Sequence, residues 1–218
     1  MIIAIDGPAG AGKSTVARRV AEELGFRFLD TGATYRATAL AALRRGIAWE
    51  NPEAMAAMAK ELRLELDGSR VLLDGEDISD AIRTQEVTDL TRFAADNAAV
   101  REVLVEVQRR MAGTNDVVTE GRDQGTVVFP DARYKFFLTA SPEERARRRV
   151  AQMREQGRPA DYREILRSQE ARDRRDACRE VGPLRKPEDA IEIVTDGLTE
   201  EEVVGRIIRE VRKNERFL

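Results

Sequence analysis

The chain contains no histidine. That excludes every mechanism that needs an imidazole base or a histidine metal ligand. There is one cysteine, Cys178, so no internal disulfide can form. Lysine is scarce and occurs at positions 13, 60, 135, 186 and 213, so the positive charge is carried almost wholly by arginine. Arginine presents a rigid fork that suits phosphate and carboxylate. No run of about 20 apolar residues occurs, so no transmembrane helix and no membrane partner are expected. The N-terminus lacks the basic region and long apolar run of a signal peptide, which points to the cytoplasm. The net charge of -3 argues against a general nucleic-acid binder.

What is present describes a folded chain. Its 218 residues, 42% hydrophobic and 35% charged, suffice for one substantial core with a smaller appended lobe. Ile2 to Ile5 reads as a buried strand. A glycine-rich turn follows, then a helix from Lys13 to Leu24 with Val16, Val20 and Leu24 on one face, stopped by Gly25. Phe26 to Leu29 reads as the next strand. Strand, loop, helix and strand in that order predict an α/β fold with a parallel sheet. Helices are expected over Tyr35 to Arg45 and from Pro52 to about Lys60. Short strands at Arg63 to Leu66 and Val71 to Leu73 flank Asp67-Gly68, a hairpin signal. That hairpin is either an inserted substrate-binding lobe or a decorated surface loop. Gln85 to Met111 is expected to be helical with a break near Asn97. Val117 to Thr119, Tyr134 to Leu138 and Ile191 to Val194 are further core strands. Pro142 begins a helix that Gly157 and Pro159 interrupt, and another spans about Asp161 to Cys178. The last helix runs from Thr199 to about Arg212, with Thr199 and Glu202 forming a capping box.

The strongest motif is Gly7-Pro8-Ala9-Gly10-Ala11-Gly12-Lys13-Ser14, followed by Thr15. It fits the phosphate-loop pattern and lies between a predicted strand and a predicted helix. Glycines let backbone amides turn inward on phosphate oxygens, and the helix N-terminus adds partial positive charge. Lys13 reaches the β- and γ-phosphates of ATP, and Ser14 is placed to ligate Mg²⁺. The loop alone does not separate kinases from GTPases and ATPases. A GTPase would be expected to carry Asn-Lys-x-Asp, which does not occur.

Transfer to a small acceptor needs a second anion site. Asp30-Thr31-Gly32 follows the second strand, at the edge where open α/β sheets bind ligands. Tyr35 and Arg36 are expected on the first turn of the next helix. Gly121-Arg122-Asp123 follows another core strand. Arg122 can hold an acceptor phosphate, and Asp123 can orient the Mg²⁺ shell or tether an arginine. Residues 143 to 180 hold twelve arginines and no lysine beside nine acids, so most of them pair among themselves on solvated faces. Arg172, Asp176 and Arg179 share helical spacing and are expected on one face. The segment near Gln152 to Pro159 is a candidate hinged cover.

At this point the chain resembles the bacterial cytidylate kinases, a branch of the nucleoside monophosphate kinases. The resemblance runs over essentially the whole length. It rests on IDGPAGAGKST at 5–15, LDTGATYR at 29–36, GEDISDAIRTQEV at 75–87, GRDQGTVVFPDA at 121–132 and ARDRRDACREVGPL at 171–184. It implies a P-loop NTPase fold with a five-stranded parallel sheet, an inserted monophosphate-binding lobe carrying small antiparallel strands, and a short lid. The implied division is 1–33, 101–147 and 161–218 as core, 34–100 as lobe with its insert near 61–83, and 148–160 as lid. The implied reaction converts ATP and CMP or dCMP to ADP and the diphosphate in a Mg²⁺-dependent monomer, with UMP a poorer acceptor. By matched position, Thr31 and Tyr35 lie beside the base, Arg36, Arg101 and Arg122 bind phosphate, and Asp123 is the acid beside the phosphates. Arg172, Asp176 and Arg179 hold base, ribose and phosphates. Arg148 and Arg149 are candidate lid-side cations for catalysis, with Lys13, Arg122 and Asp123. Arg92 stands where relatives often have a serine contacting cytosine, and Glu120 where they can have aspartate. The competing readings are a phosphate-loop kinase for UMP, AMP or a sugar-like acid, a nucleotide switch without transfer, and a vestigial loop.

Overall fold

A computed structural model describes residues 1–67 and 70–215. Strand β1 (Ile2–Asp6) runs through the phosphate loop into helix α1 (Lys13–Leu24), and β2 (Arg27–Asp30) follows. Helices α2 (Thr31–Arg44) and α3 (Pro52–Glu61) lead to three short strands, β3 (Leu64–Asp67), β4 (Arg70–Leu73) and β5 (Glu76–Asp77). Helices α4 (Gln85–Ala95) and α5 (Ala98–Ala112) precede β6 (Val117–Gly121) and β7 (Tyr134–Thr139). The chain ends with α6 (Pro142–Glu155), α7 (Tyr162–Cys178), β8 (Ile191–Val194) and α8 (Glu200–Glu215).

The main sheet has five strands in the order β2-β6-β1-β7-β8, and every pairing is parallel. The carboxyl ends of β1, β2 and β6 therefore open on one edge, where the loops after them meet. Ile3, Ile5, Val16, Val20, Phe136, Leu138 and Ile207 form the core between this sheet and the helices α1 and α8. Full burial of such side chains contributes roughly 1.5–3 kcal/mol each. A separate cluster of Leu40, Met55, Met58, Val71, Ile78, Ile82 and Leu104 is built from α2 to α5 and the small sheet. That sheet is antiparallel, with β4 between β3 and β5. The α/β class and the antiparallel insertion thus stand as expected. The Asp67-Gly68 turn runs into residues 68 and 69, which lie outside the described residues.

Several boundaries differ from the expectation for local reasons. Helix α2 begins at Thr31 because the Asp30 carboxylate accepts the Ala33 amide at 2.9 Å and caps it. Thr31 and Gly32 are therefore helical, and Tyr35 and Arg36 sit on the second turn, not the first. Arg179 lies just past the end of α7, with an extended ψ of 140°, so only Arg172 and Asp176 share that helix. Strand β5, of two residues, carries too short a pattern to be read. A π-helical turn over Gln124–Val128 was also not foreseen. It is held from a distance: Asp6 accepts the Gln124 amide at 2.9 Å and the Gly125 amide at 2.7 Å. The break at Asn97 occurs as expected, with the Asn97 side chain accepting the Val100 amide at 3.1 Å. The capping box also forms: Thr199 N donates to Glu202 Oε2 at 2.8 Å and Glu202 N to Thr199 Oγ1 at 3.2 Å.

Candidate active site

The phosphate loop leaves β1 at Gly7, whose φ is 147°. A Cβ there would stand 1.9 Å from the Leu138 carbonyl oxygen, so the loop can pass β7 only as glycine. Gly12 caps α1 without a side-chain bond, which leaves the first-turn amides free for an anion. Lys13 is buried, and its Nζ donates to Pro8 O at 2.8 Å. Burial, with Arg122 and Arg172 nearby, pushes the amine down to about 7, against the opposing pull of Glu120 and Asp6. Burial also pushes the Asp6 carboxyl up to about 6, despite its two amide donors. Ser14 and Thr15 are exposed on the first turn. Ser14 Oγ donates to Glu120 Oε1 at 2.9 Å, at the end of the neighbouring strand β6.

A cleft of about 280 Å³ opens beside this loop. Lys13, Ser14, Thr31, Tyr35, Arg36, Arg101, Arg122, Asp123, Arg172, Asp176 and Arg179 all line it. Ala9, Gly10, Lys13 and Ser14 of the phosphate loop and every acceptor-side residue expected from the sequence thus border one space, whereas Gly7, Pro8, Ala11, Gly12 and Thr15 do not line it. Arg36 Nη2 donates to Asp30 Oδ2 at 2.9 Å, and its buried Nε has no partner. Arg101 is buried, paired with Asp123, bonded to Ala95 O at 3.1 Å, and lies 5.2 Å over the Tyr35 ring. Its Nε also lacks a partner, as does the buried Tyr35 hydroxyl. Burial pushes that hydroxyl up to about 12, with Arg101 opposing and Asp123 adding to the rise.

Asp176 organises the far wall. It accepts from Arg122 Nε at 2.8 Å and from Arg179 Nη2 at 2.5 Å. Burial alone would raise its carboxyl, but Arg122, Arg179 and Arg172 outweigh that and hold it below the usual range. Arg179 Nε also donates to Asp96 Oδ1 at 2.7 Å, which ties the end of α7 to the end of α4. Arg172 faces solvent on the cleft side but is crowded by protein. That crowding, with Arg122 beside it, pushes its guanidinium down to about 10. Thr31 Oγ1 donates to Glu120 O at 2.6 Å.

Two expected lid cations stand outside the cleft lining. Arg148 bonds Thr195 O at 2.6 Å and Thr195 Oγ1 at 2.9 Å, beyond β8. Arg149 donates to Gln152 at 2.6 Å and is held below the ordinary arginine range by burial and by Arg158. Arg158, at the turn after α6, reaches across to Gln85 Oε1 at 2.7 Å on α4. Arg145 is a residue that sequence reasoning missed, as are Thr88 and Thr91 in the cleft lining. It is 3% exposed and donates to Ala140 O at 3.1 Å, Ala9 O at 3.0 Å and Asp173 Oδ2 at 2.6 Å. It therefore braces the phosphate loop from α6. Nothing in its local pattern separates it from the other arginines of that helix. Arg92 is exposed, and its guanidinium lies 4.7 Å over the Phe93 ring, away from the cleft.

A family model described as cytidylate kinase matches residues 3–213. The chain belongs to the cytidylate kinase family. It is 54% identical over 213 residues to the cytidylate kinase of Rhodopirellula baltica, spanning 98% of this chain and 93% of that one. It is 50% identical over 212 residues to the cytidylate kinase of Caldanaerobacter subterraneus subsp. tengcongensis, spanning 97% and 95%. As a member of the cytidylate kinase family, the chain transfers a phosphoryl group from ATP to CMP or dCMP. The fold is shared more widely. Shikimate kinase from Bacteroides thetaiotaomicron superposes with a TM-score of 0.52 at 16% identity over 98% of each chain. That likeness concerns architecture alone.

Proposed function

We propose that this cleft aligns ATP and a cytidine monophosphate for in-line transfer, with the residues dividing the work as follows. The loop from Gly7 to Thr15, with Lys13, holds the ATP phosphates. Arg36, Arg101 and Arg122 hold the acceptor phosphate and offset its repulsion with ATP. Thr31 and Tyr35 border the base, Asp123 tethers Arg101 beside the phosphates, and Arg172, Asp176 and Arg179 complete the far wall. The partnerless buried Nε atoms of Arg36 and Arg101 support this division, because each is a donor still lacking an acceptor. The acceptor is itself an anionic oxygen nucleophile, so no base is required of a chain without histidine.

The donor set suits Mg²⁺. Among the described residues no group of three or more acidic, cysteine or histidine side chains could hold a metal ion. Mg²⁺ in phosphoryl-transfer sites is bound through one or two protein oxygens together with water and substrate phosphates. Ser14 and Glu120 offer such a hydroxyl and carboxylate, 2.9 Å apart. When bound, the ion neutralises charge on the β- and γ-phosphates. Glu120 orients the Ser14 hydroxyl, and Lys13 carries positive charge to the transferring group.

The reading extends to three bodies, a core, an acceptor lobe over 34–100 and a lid over 148–160, working as a cytoplasmic monomer. The two larger apolar clusters, which share no buried residue, support the first division. Among the described residues no helix is long and apolar enough to cross a membrane. The observation that carries the proposal is the meeting of the phosphate loop and the arginine set around one cleft. A coupled assay with ATP against CMP, dCMP, UMP, AMP and GMP tests it, with CMP and dCMP expected to lead. Lys13→Met is expected to cut turnover by about a hundredfold or more with the fold intact. Near-normal turnover in that variant overturns the assignment.

A further inference from the structure

We propose that the hydroxyls of Thr88 and Thr91 read the exocyclic amine of the acceptor base. The inference rests on the cytidine reading above and names the atoms that enforce it. Both threonines lie on α4, three residues apart and so on one face, and both line the cleft. Thr88 Oγ1 donates to Thr84 O at 2.8 Å, and Thr91 Oγ1 donates to Val87 O at 2.7 Å. A carbonyl oxygen has no hydrogen to give, so the direction of both bonds is fixed. Each hydroxyl has one hydrogen, and each has committed it to its own helix. What α4 offers the cleft is a pair of acceptors.

That pair matches an amine with two N–H donors, as at position 4 of cytosine. It opposes a carbonyl at the same place, as in uracil, because acceptors would then face one another. A hydroxyl can accommodate the carbonyl only by giving up its helix bond. Specificity thus comes from a repulsive element as well as an attractive one. Arg92 would invert this logic if it reached the base, since a guanidinium only donates. Its stacking over Phe93 keeps those donors out of the cleft.

Thr88→Val and Thr91→Val keep side-chain shape and remove the acceptors. The double variant is expected to lose about tenfold in kcat/KM for CMP while UMP stays within about twofold, so that the CMP-to-UMP ratio collapses. Equal losses for both nucleotides overturn the proposal, because they report a structural role. The 5′-monophosphate of the pyrimidin-2-one riboside, which lacks the amine, probes the same contact without any substitution. The unmodified protein is expected to use it about tenfold less well than CMP, and the double variant to use the two alike. Equal use by the unmodified protein overturns the proposal. Unmodified protein that turns over UMP as well as CMP fails the cytidine reading itself, an outcome distinct from the other two.

Discussion

Burial pushes the Lys13 amine down to about 7, and Arg122 and Arg172 add to the push. The phosphates of ATP act in the other direction and raise it again. Nucleotide binding at a pH above about 7 must therefore take up a proton. The sign follows from the two states: at about pH 6 both are protonated and uptake is small, whereas at about pH 8 only the bound state is. Affinity for ATP should fall as pH rises through 7, by up to tenfold per unit. Calorimetry at pH 8 in two buffers of different ionisation enthalpy reads the uptake directly, and equal heats would sink the idea. Arg92 gives a second prediction at this scale. Because it stacks on Phe93 outside the cleft, Arg92→Ser should leave kcat/KM for CMP within about twofold. A large change in the CMP-to-UMP ratio would put that side chain back on the base. These two residues also show what local sequence can carry. Lys13 was readable because spacing alone places a lysine after a phosphate loop. The position of Arg92 depends on its aromatic neighbour Phe93, which no motif encodes.

Among elements, α6 holds the phosphate loop through one side chain. Arg145 bonds the loop at Ala9, its own helix entry at Ala140, and Asp173 on α7. Arg145→Ala removes three bonds and leaves Asp173 without its cation. Stability should drop by roughly 2–4 kcal/mol, as read by urea unfolding. The ATP KM should rise while that for CMP changes little. A variant as stable as the parent would mean that the brace is dispensable. The strand-loop-helix start, the capping box and the helix break at Asn97 were readable because each depends on residues a few positions apart. The π-helical turn at 124–128 was not, because the carboxylate that anchors its first two amides is Asp6, 118 residues before Gln124. Arg145 was hidden for the opposite reason, since its helix offers several arginines with the same local context. Gly182 belongs with them. Its φ is 63°, and a Cβ there would stand 2.2 Å from Asp123 Oδ2, so the loop after α7 closes on the Arg101–Asp123 pair only as glycine.

Across the whole molecule, the two larger apolar clusters share no buried residue. The net charge is -3, so the concentration of arginine at the cleft is a local arrangement and not a property of the surface at large. Polar contacts such as Arg179 to Asp96 and Arg158 to Gln85 tie α4 to the end of α7 and to the turn after α6. The single tryptophan, Trp49, packs against the cluster built from α2 to α5. It stacks on Phe93 at 5.2 Å, on the helix that carries Thr88 and Thr91. The chain therefore contains one indole, and on the proposed reading it belongs to the acceptor lobe. Its emission should shift or quench when CMP binds and stay flat when ATP binds alone. A titration with each nucleotide separately decides the point, and an ATP response as large as that to CMP would count against it. A response to CMP without one to ATP would make the Trp49–Phe93 pair an internal optical gauge, timing the arrival of one substrate without a label.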